Sequence, residues 1–124
     1  MATITTRLMI SGTAVTSDPI AVDYSLTPTI GAPAVESAST DVLPAGIAIV
    51  TGSAAPNTRT FVYIKNVGSV SQSYITVSLT GATDSMRLNL GEFLYMPISP
   101  AQVVTLDVPA ETTGAAEYGY FSAE

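Results

Sequence analysis

Apolar residues recur at every second position through most of the chain. Ile20, Val22, Tyr24 and Leu26 alternate with Ala21, Asp23 and Ser25, and Ile75, Val77 and Leu79 alternate with Tyr74, Thr76, Ser78 and Thr80. The same spacing holds for Met86, Leu88 and Leu90 around Arg87 and Asn89, and for Val104, Leu106 and Val108 around Thr105 and Asp107. A strand sends successive side chains to opposite faces, so a period of two puts one set on a core and the other toward water. Thr, Val, Ile and Tyr are abundant, and β-branched and aromatic side chains suit a pleated surface. Gly68, Gly81, Gly91, Pro100, Pro109 and Gly114 punctuate the runs. The pattern predicts strands near 3–10, 20–26, 46–51, 59–66, 73–80, 85–90, 93–98, 103–108 and 117–122. No stretch keeps a helical period for three turns; Ser99-Pro100-Ala101-Gln102 suits one short helical turn with Pro at its first position. The expectation is an all-β fold: one domain over residues 1–124, an antiparallel β-sandwich of jelly-roll type with eight or nine strands.

Two regions break the regularity. Thr27 to Ala45 holds Pro28, Pro33 and Pro44 among Ala, Ser and Thr, with Ile30, Val35 and Leu43 isolated along it. That is long for a loop inside a compact domain. It reads either as a surface loop or as an extended arm that lays its apolar residues on a neighbouring subunit. Residues 1–16 are a second candidate arm, because termini order when something ties them down. The other break is Leu90-Gly91-Glu92-Phe93. A two-residue hairpin loop at Gly91-Glu92 would put Met86, Leu88, Leu90, Phe93 and Tyr95 on one face. Leu94, Met96 and Ile98 would then share the opposite face with Arg87 and Asn89. A bulge, a second sheet or another subunit would have to resolve that conflict. Phe61-Val62-Tyr63-Ile64 is likewise apolar on both faces. The candidate interface residues are therefore Ile30, Val35, Leu43, Leu94, Met96 and Ile98.

Composition narrows the function. Hydrophobic residues make up 47% of the 124 and charged residues 11%, against roughly a quarter charged in ordinary globular domains. Such a surface suits coverage by partners. The formal net charge is −6, and Arg7, Arg59, Lys65 and Arg87 are scattered. No basic stripe exists to neutralise a run of phosphates, so nucleic acid is not an expected partner. No apolar run approaches the roughly 18 residues that span a bilayer, and Met1 to Val15 lacks a continuous apolar core of the signal-peptide kind. A membrane partner is not expected either.

Catalytic chemistry has little to work with. The chain contains no His and no Cys, which removes the commonest general base, the thiol nucleophile and the preferred transition-metal ligands. Asp18, Asp23, Glu36, Asp41, Asp84, Glu92, Asp107, Glu111 and Glu117 show no calcium-loop spacing. There is no phosphate-binding glycine motif, and no Trp to line a glycosidase cleft. The expectation is a non-enzymatic protein with no catalytic, metal or cofactor site. Tyr24, Tyr63, Tyr74, Tyr95, Tyr118 and Tyr120 leave a glycan-stacking face open as an alternative to packing roles.

Four segments carry a resemblance. They are Phe61-Val62-Tyr63-Ile64-Lys65-Asn66-Val67-Gly68-Ser69, Tyr74-Ile75-Thr76-Val77-Ser78-Leu79, Leu88-Asn89-Leu90-Gly91-Glu92-Phe93-Leu94-Tyr95-Met96-Pro97 and Glu117-Tyr118-Gly119-Tyr120. A strand ending in Lys-Asn before a Gly-Ser turn, followed by Leu-x-x-Gly-Glu leading to Pro, resembles small all-β proteins from the virion gene clusters of tailed bacteriophages. Capsid decoration (cement) proteins are among them. The resemblance covers residues 61–122. It implies a structural subunit on the capsid surface, made in the host cytoplasm, often a homotrimer, that binds the major capsid protein and ties the coat lattice together. A tail, collar or fibre-associated virion protein and a glycan-binding adhesive module are the alternatives.

Overall fold

The computed structural model describes residues 2–13, 20–30, 36–55, 58–69, 74–80 and 86–123. Every regular element among them is a strand: β1 (Ala2–Thr3), β2 (Thr6–Gly12), β3 (Ile20–Leu26), β4 (Thr29–Ile30), β5 (Glu36–Val42), β6 (Ile47–Thr51), β7 (Arg59–Asn66), β8 (Ile75–Leu79), β9 (Met86–Leu88), β10 (Phe93–Ile98), β11 (Val103–Asp107) and β12 (Gly114–Ala123). All pairings are antiparallel. The larger sheet runs β1-β4-β12-β7-β10, with β5 also on β12, and the smaller runs β6-β11-β8-β9. Among the described residues, strands β2 and β3 pair only with each other, as a separate ribbon.

The two larger sheets form a sandwich-like arrangement because each has one apolar face. Val42, Val62, Ile64, Ile98 and Ala116 from the larger sheet meet Val50, Ile75, Val77, Leu88, Val104 and Leu106 from the smaller in one buried cluster. Fully burying each of the Val, Leu and Ile side chains is worth about 1.5–3 kcal/mol. Strand β7 is apolar on both faces because both are covered. Val62 and Ile64 face the smaller sheet, while Phe61 joins Ile30, Phe121 and Ala123 in a second buried cluster with Ile4 against it.

After β7 the chain passes repeatedly between the sheets, and its turns share one device. The turns Asn89–Glu92, Ser99–Gln102 and Pro109–Thr112 each close with an N–H donated by the fourth residue to the first residue's carbonyl, at 3.0, 3.2 and 3.2 Å. Their third residues, Gly91, Ala101 and Glu111, have φ of 81°, 61° and 64°, the left-handed value that a type II turn requires. Asn66 pins the crossing from β9 to β10. Its buried Nδ2 donates to the Leu88 carbonyl at 3.0 Å, and its Oδ1 accepts from the Gly68 N–H at 3.0 Å. Its backbone N–H donates to the Glu92 carbonyl and its carbonyl accepts from the Gly91 N–H, both at 3.0 Å.

Several expectations are corrected. There are twelve strand segments among the described residues, not eight or nine, because short pieces join the large sheet's edge. The Thr27–Ala45 segment is not an arm where it is described. Ile30 is buried beside Ala123, its register partner, and Glu36–Val42 pairs with β12 through seven residues. The N-terminal residues form β1, at the sheet edge, and β2. No hairpin joins β9 to β10, because β9 pairs with β8 and β10 with β7, in different sheets. The Ser99–Gln102 segment is a β-turn and not a helical turn, since Ala101 takes a positive φ.

Candidate functional site

The ribbon is the least enclosed element. At its base the Ile4 N–H donates to the Pro28 carbonyl at 3.3 Å, and the Thr5 and Thr27 hydroxyls lie 2.9 Å apart. Above that, β2 and β3 run in register from Thr6 opposite Leu26 to Gly12 opposite Ile20, with Leu8 opposite Tyr24 and Ile10 opposite Val22. Side chains of directly opposed residues share a face, so Thr6, Leu8, Ile10, Val22, Tyr24 and Leu26 make one face. Arg7, Met9, Ser11, Ala21, Asp23 and Ser25 make the other.

The second face is stitched by a fork. Arg7 Nε and Nη2 donate to Asp23 Oδ1 and Oδ2 at 2.8 and 2.7 Å. This bond holds the Asp23 carboxyl below its ordinary range and the Arg7 guanidinium above its own. Both side chains stand in water, where such a pair fixes geometry more than it stabilises. The first face is apolar and uncovered: Leu8 is 52% exposed, Ile10 49%, Tyr24 70% and Leu26 46%. Alternation in 20–26 therefore sorts the two faces, but the apolar one has no sheet over it.

Beside the ribbon lies β10, an edge strand of the larger sheet. A cleft of about 630 Å³ opens between them, lined by Thr6, Arg7, Leu8, Tyr24, Ser25, Leu26, Phe93, Leu94 and Tyr95. Phe93 is 74% exposed. Tyr95 is held at the cleft by a stack of rings across the sheet. Its centroid is 5.9 Å from that of Phe61, which is 5.2 Å from that of Phe121. Rings at these separations attract beyond their burial alone.

The six expected interface residues do not come together. Ile98 and Ile30 are buried in the two clusters, and Leu94 and Met96 pack partly buried against the main core. Of the three ways to resolve the conflict on β10, a second sheet is the one seen: the strand pairs with β7 and turns Leu94, Met96 and Ile98 toward the smaller sheet, not toward another subunit. Leu43 is exposed, near the Leu43–Gly46 turn. Val35 lies outside the described residues. The residues that sequence reasoning missed are Leu8, Ile10, Leu26 and Phe93, while Tyr24 and Tyr95 were named only as candidates for glycan stacking. Their signal was present as apolar alternation, but nothing in it told a covered face from a bare one.

The tyrosines form no single platform. Tyr118 and Tyr120 pack on the core, the Tyr63 ring lies over Gly119, and Arg87 sits 3.7 Å above the centroid of Tyr74. Among the described residues no group of three or more acidic side chains is placed to hold a metal ion. Comparison with protein families, curated proteins and solved structures gives no match.

Proposed function

We propose that this protein is a non-enzymatic structural subunit that works by assembling with other chains. The observation that carries this reading is the bare apolar face of the β2–β3 ribbon beside the exposed Phe93. A monomer gains nothing from holding four large apolar side chains in water, and contiguous exposed patches of this kind mark interaction surfaces. The particular assembly we infer is the head of a tailed bacteriophage. There the chain acts as a decoration subunit on the capsid surface, bound to the major capsid protein and to its own copies. Support for that step comes from the virion-protein resemblance of residues 61–122 and the low charged content. The fold is read as a relative of the jelly roll. Many copies on one lattice would make individually modest contacts effective together.

Copy number in purified particles tests the reading. Abundance comparable with that of the coat protein is expected of a decoration subunit, abundance of a few per particle indicates a tail part, and absence from particles overturns the proposal. A second reading, a glycan-binding module, draws on one feature: Tyr24, Phe93 and Tyr95 surround a cleft that also holds Thr6, Arg7 and Ser25. Specific retention on a glycan array, lost in Tyr24→Ala, would favour it.

A further inference from the structure

We propose that the apolar face of the ribbon pairs with the same face of a second copy of this chain, about a twofold axis close to the Leu8–Tyr24 pair. The proposal rests on reading the ribbon as an assembly surface and names its occupant. An isolated two-stranded ribbon is marginal in water and needs a layer against its apolar face. Among the described residues of its own chain, β2 and β3 pair with no third strand, and Leu8, Tyr24 and Leu26 of their apolar face line the open cleft.

Three observations favour a second copy. The first is shape. The face is a strip two strands wide with large side chains at Leu8, Ile10, Tyr24 and Leu26. Pleated faces pack with their side chains interdigitated, and an identical strip offers the same width and pleat. A twofold contact needs only that one patch complement itself. The second is area. Together with Phe93 and Tyr95, these side chains present roughly 650 Å² of accessible surface, close to the about 800 Å² per partner that a standard stable interface buries. The third is charge. Each chain carries a formal −6, which opposes self-association, yet this face holds no Asp, Glu, Lys or Arg. The ribbon's own Arg7 and Asp23 neutralise each other on the opposite face. Repulsion is thereby kept off the contact, and added salt should tighten the pair by screening the rest.

Sedimentation of the full chain at micromolar concentration tests this. The expected result is a mass of two copies, with the dissociation constant falling as salt rises. Leu8→Ser with Tyr24→Ser should raise that constant on the order of a hundredfold, while Met9→Ser, on the opposite face, leaves it unchanged. Far-ultraviolet circular dichroism of each variant confirms that the sandwich, which these residues do not enter, is intact. Because the chain has no Cys, Leu8→Cys introduces a single thiol close to the axis. Mild oxidation should link it to its counterpart, and Met9→Cys should not link. A mass of one or of three copies in the wild type overturns the proposal, as does Met9→Ser dissociating the pair like the double variant. A monomer that still decorates particles defeats the pairing alone, whereas a dimer absent from particles defeats the virion reading alone.

Discussion

Removing the Asn66 side chain should cost the fold about 2–4 kcal/mol. The amide makes two bonds, to the buried Leu88 carbonyl at the end of β9 and to the half-buried Gly68 N–H just after β7. Each buried group left without a partner costs about 1–3 kcal/mol, with Gly68 at the low end because water can reach it. That is a large part of the ~5–15 kcal/mol by which domains of this kind are stable, and it should lower the melting temperature by on the order of 10 °C. Asn66→Ala, followed by urea and thermal unfolding, measures it. Asn66→Asp sharpens the test. The introduced carboxylate keeps an acceptor for Gly68 but turns a second oxygen on the Leu88 carbonyl, so it should be the worse variant at neutral pH. Burial and that carbonyl raise the folded-state pKa of the new carboxyl above its unfolded value. Its stability should therefore be recovered as pH falls below the folded pKa, where the protonated group donates to Leu88, and be lost as pH rises through it. An Asn66→Ala variant within about 0.5 kcal/mol of wild type, or an Asn66→Asp variant indifferent to pH, would refute the role given to this residue.

Three further outcomes are expected. Val77→Asp should destabilise by about 3–5 kcal/mol, because an unpaired charge enters the fully buried core. Thr76→Asp, on the opposite face between its register partners Arg87 and Asp107, should cost less, and equal melting of the two would reverse the facing of β8. Gly52→Ala should be more damaging than Gly119→Ala in urea unfolding. A Cβ at 52 would lie 2.3 Å from the Ser99 carbonyl oxygen, which is backbone, whereas at 119 it meets the end of the Tyr63 side chain, which can move aside. In an NMR titration Asp23 should ionise below the ordinary carboxylate range and move back toward it in Arg7→Gln, at low salt. The ribbon's fork is then present above that range and lost as pH falls through the Asp23 value.

The strands were legible where apolar alternation is strong. The readings 20–26, 59–66 and 93–98 coincide with β3, β7 and β10. Strand β5 was not, since Glu36–Val42 offers mostly Ser, Ala and Thr and is held by backbone pairing with β12. The order of strands was hidden as well. Gly91-Glu92 looks like a hairpin loop, but Asn66 gathers it into a turn between sheets, a pairing from outside the local sequence. For the candidate surface, alternation placed Tyr24 and Leu26 together on one face of their strand. Whether that face meets a sheet or water depends on which strands flank it, and β2 and β3 have only each other.

The ribbon's apolar face should be covered in the working assembly. Hydroxyl-radical footprinting of the isolated chain, at a dilution where it is monomeric, and of the assembled particle measures this directly. Tyr24 and Leu8 should react readily in the isolated chain and be protected in the assembly, while Met9, on the ribbon's opposite face, stays reactive in both. Equal reactivity of Tyr24 in the two states would contradict the claim that this face exists to be covered.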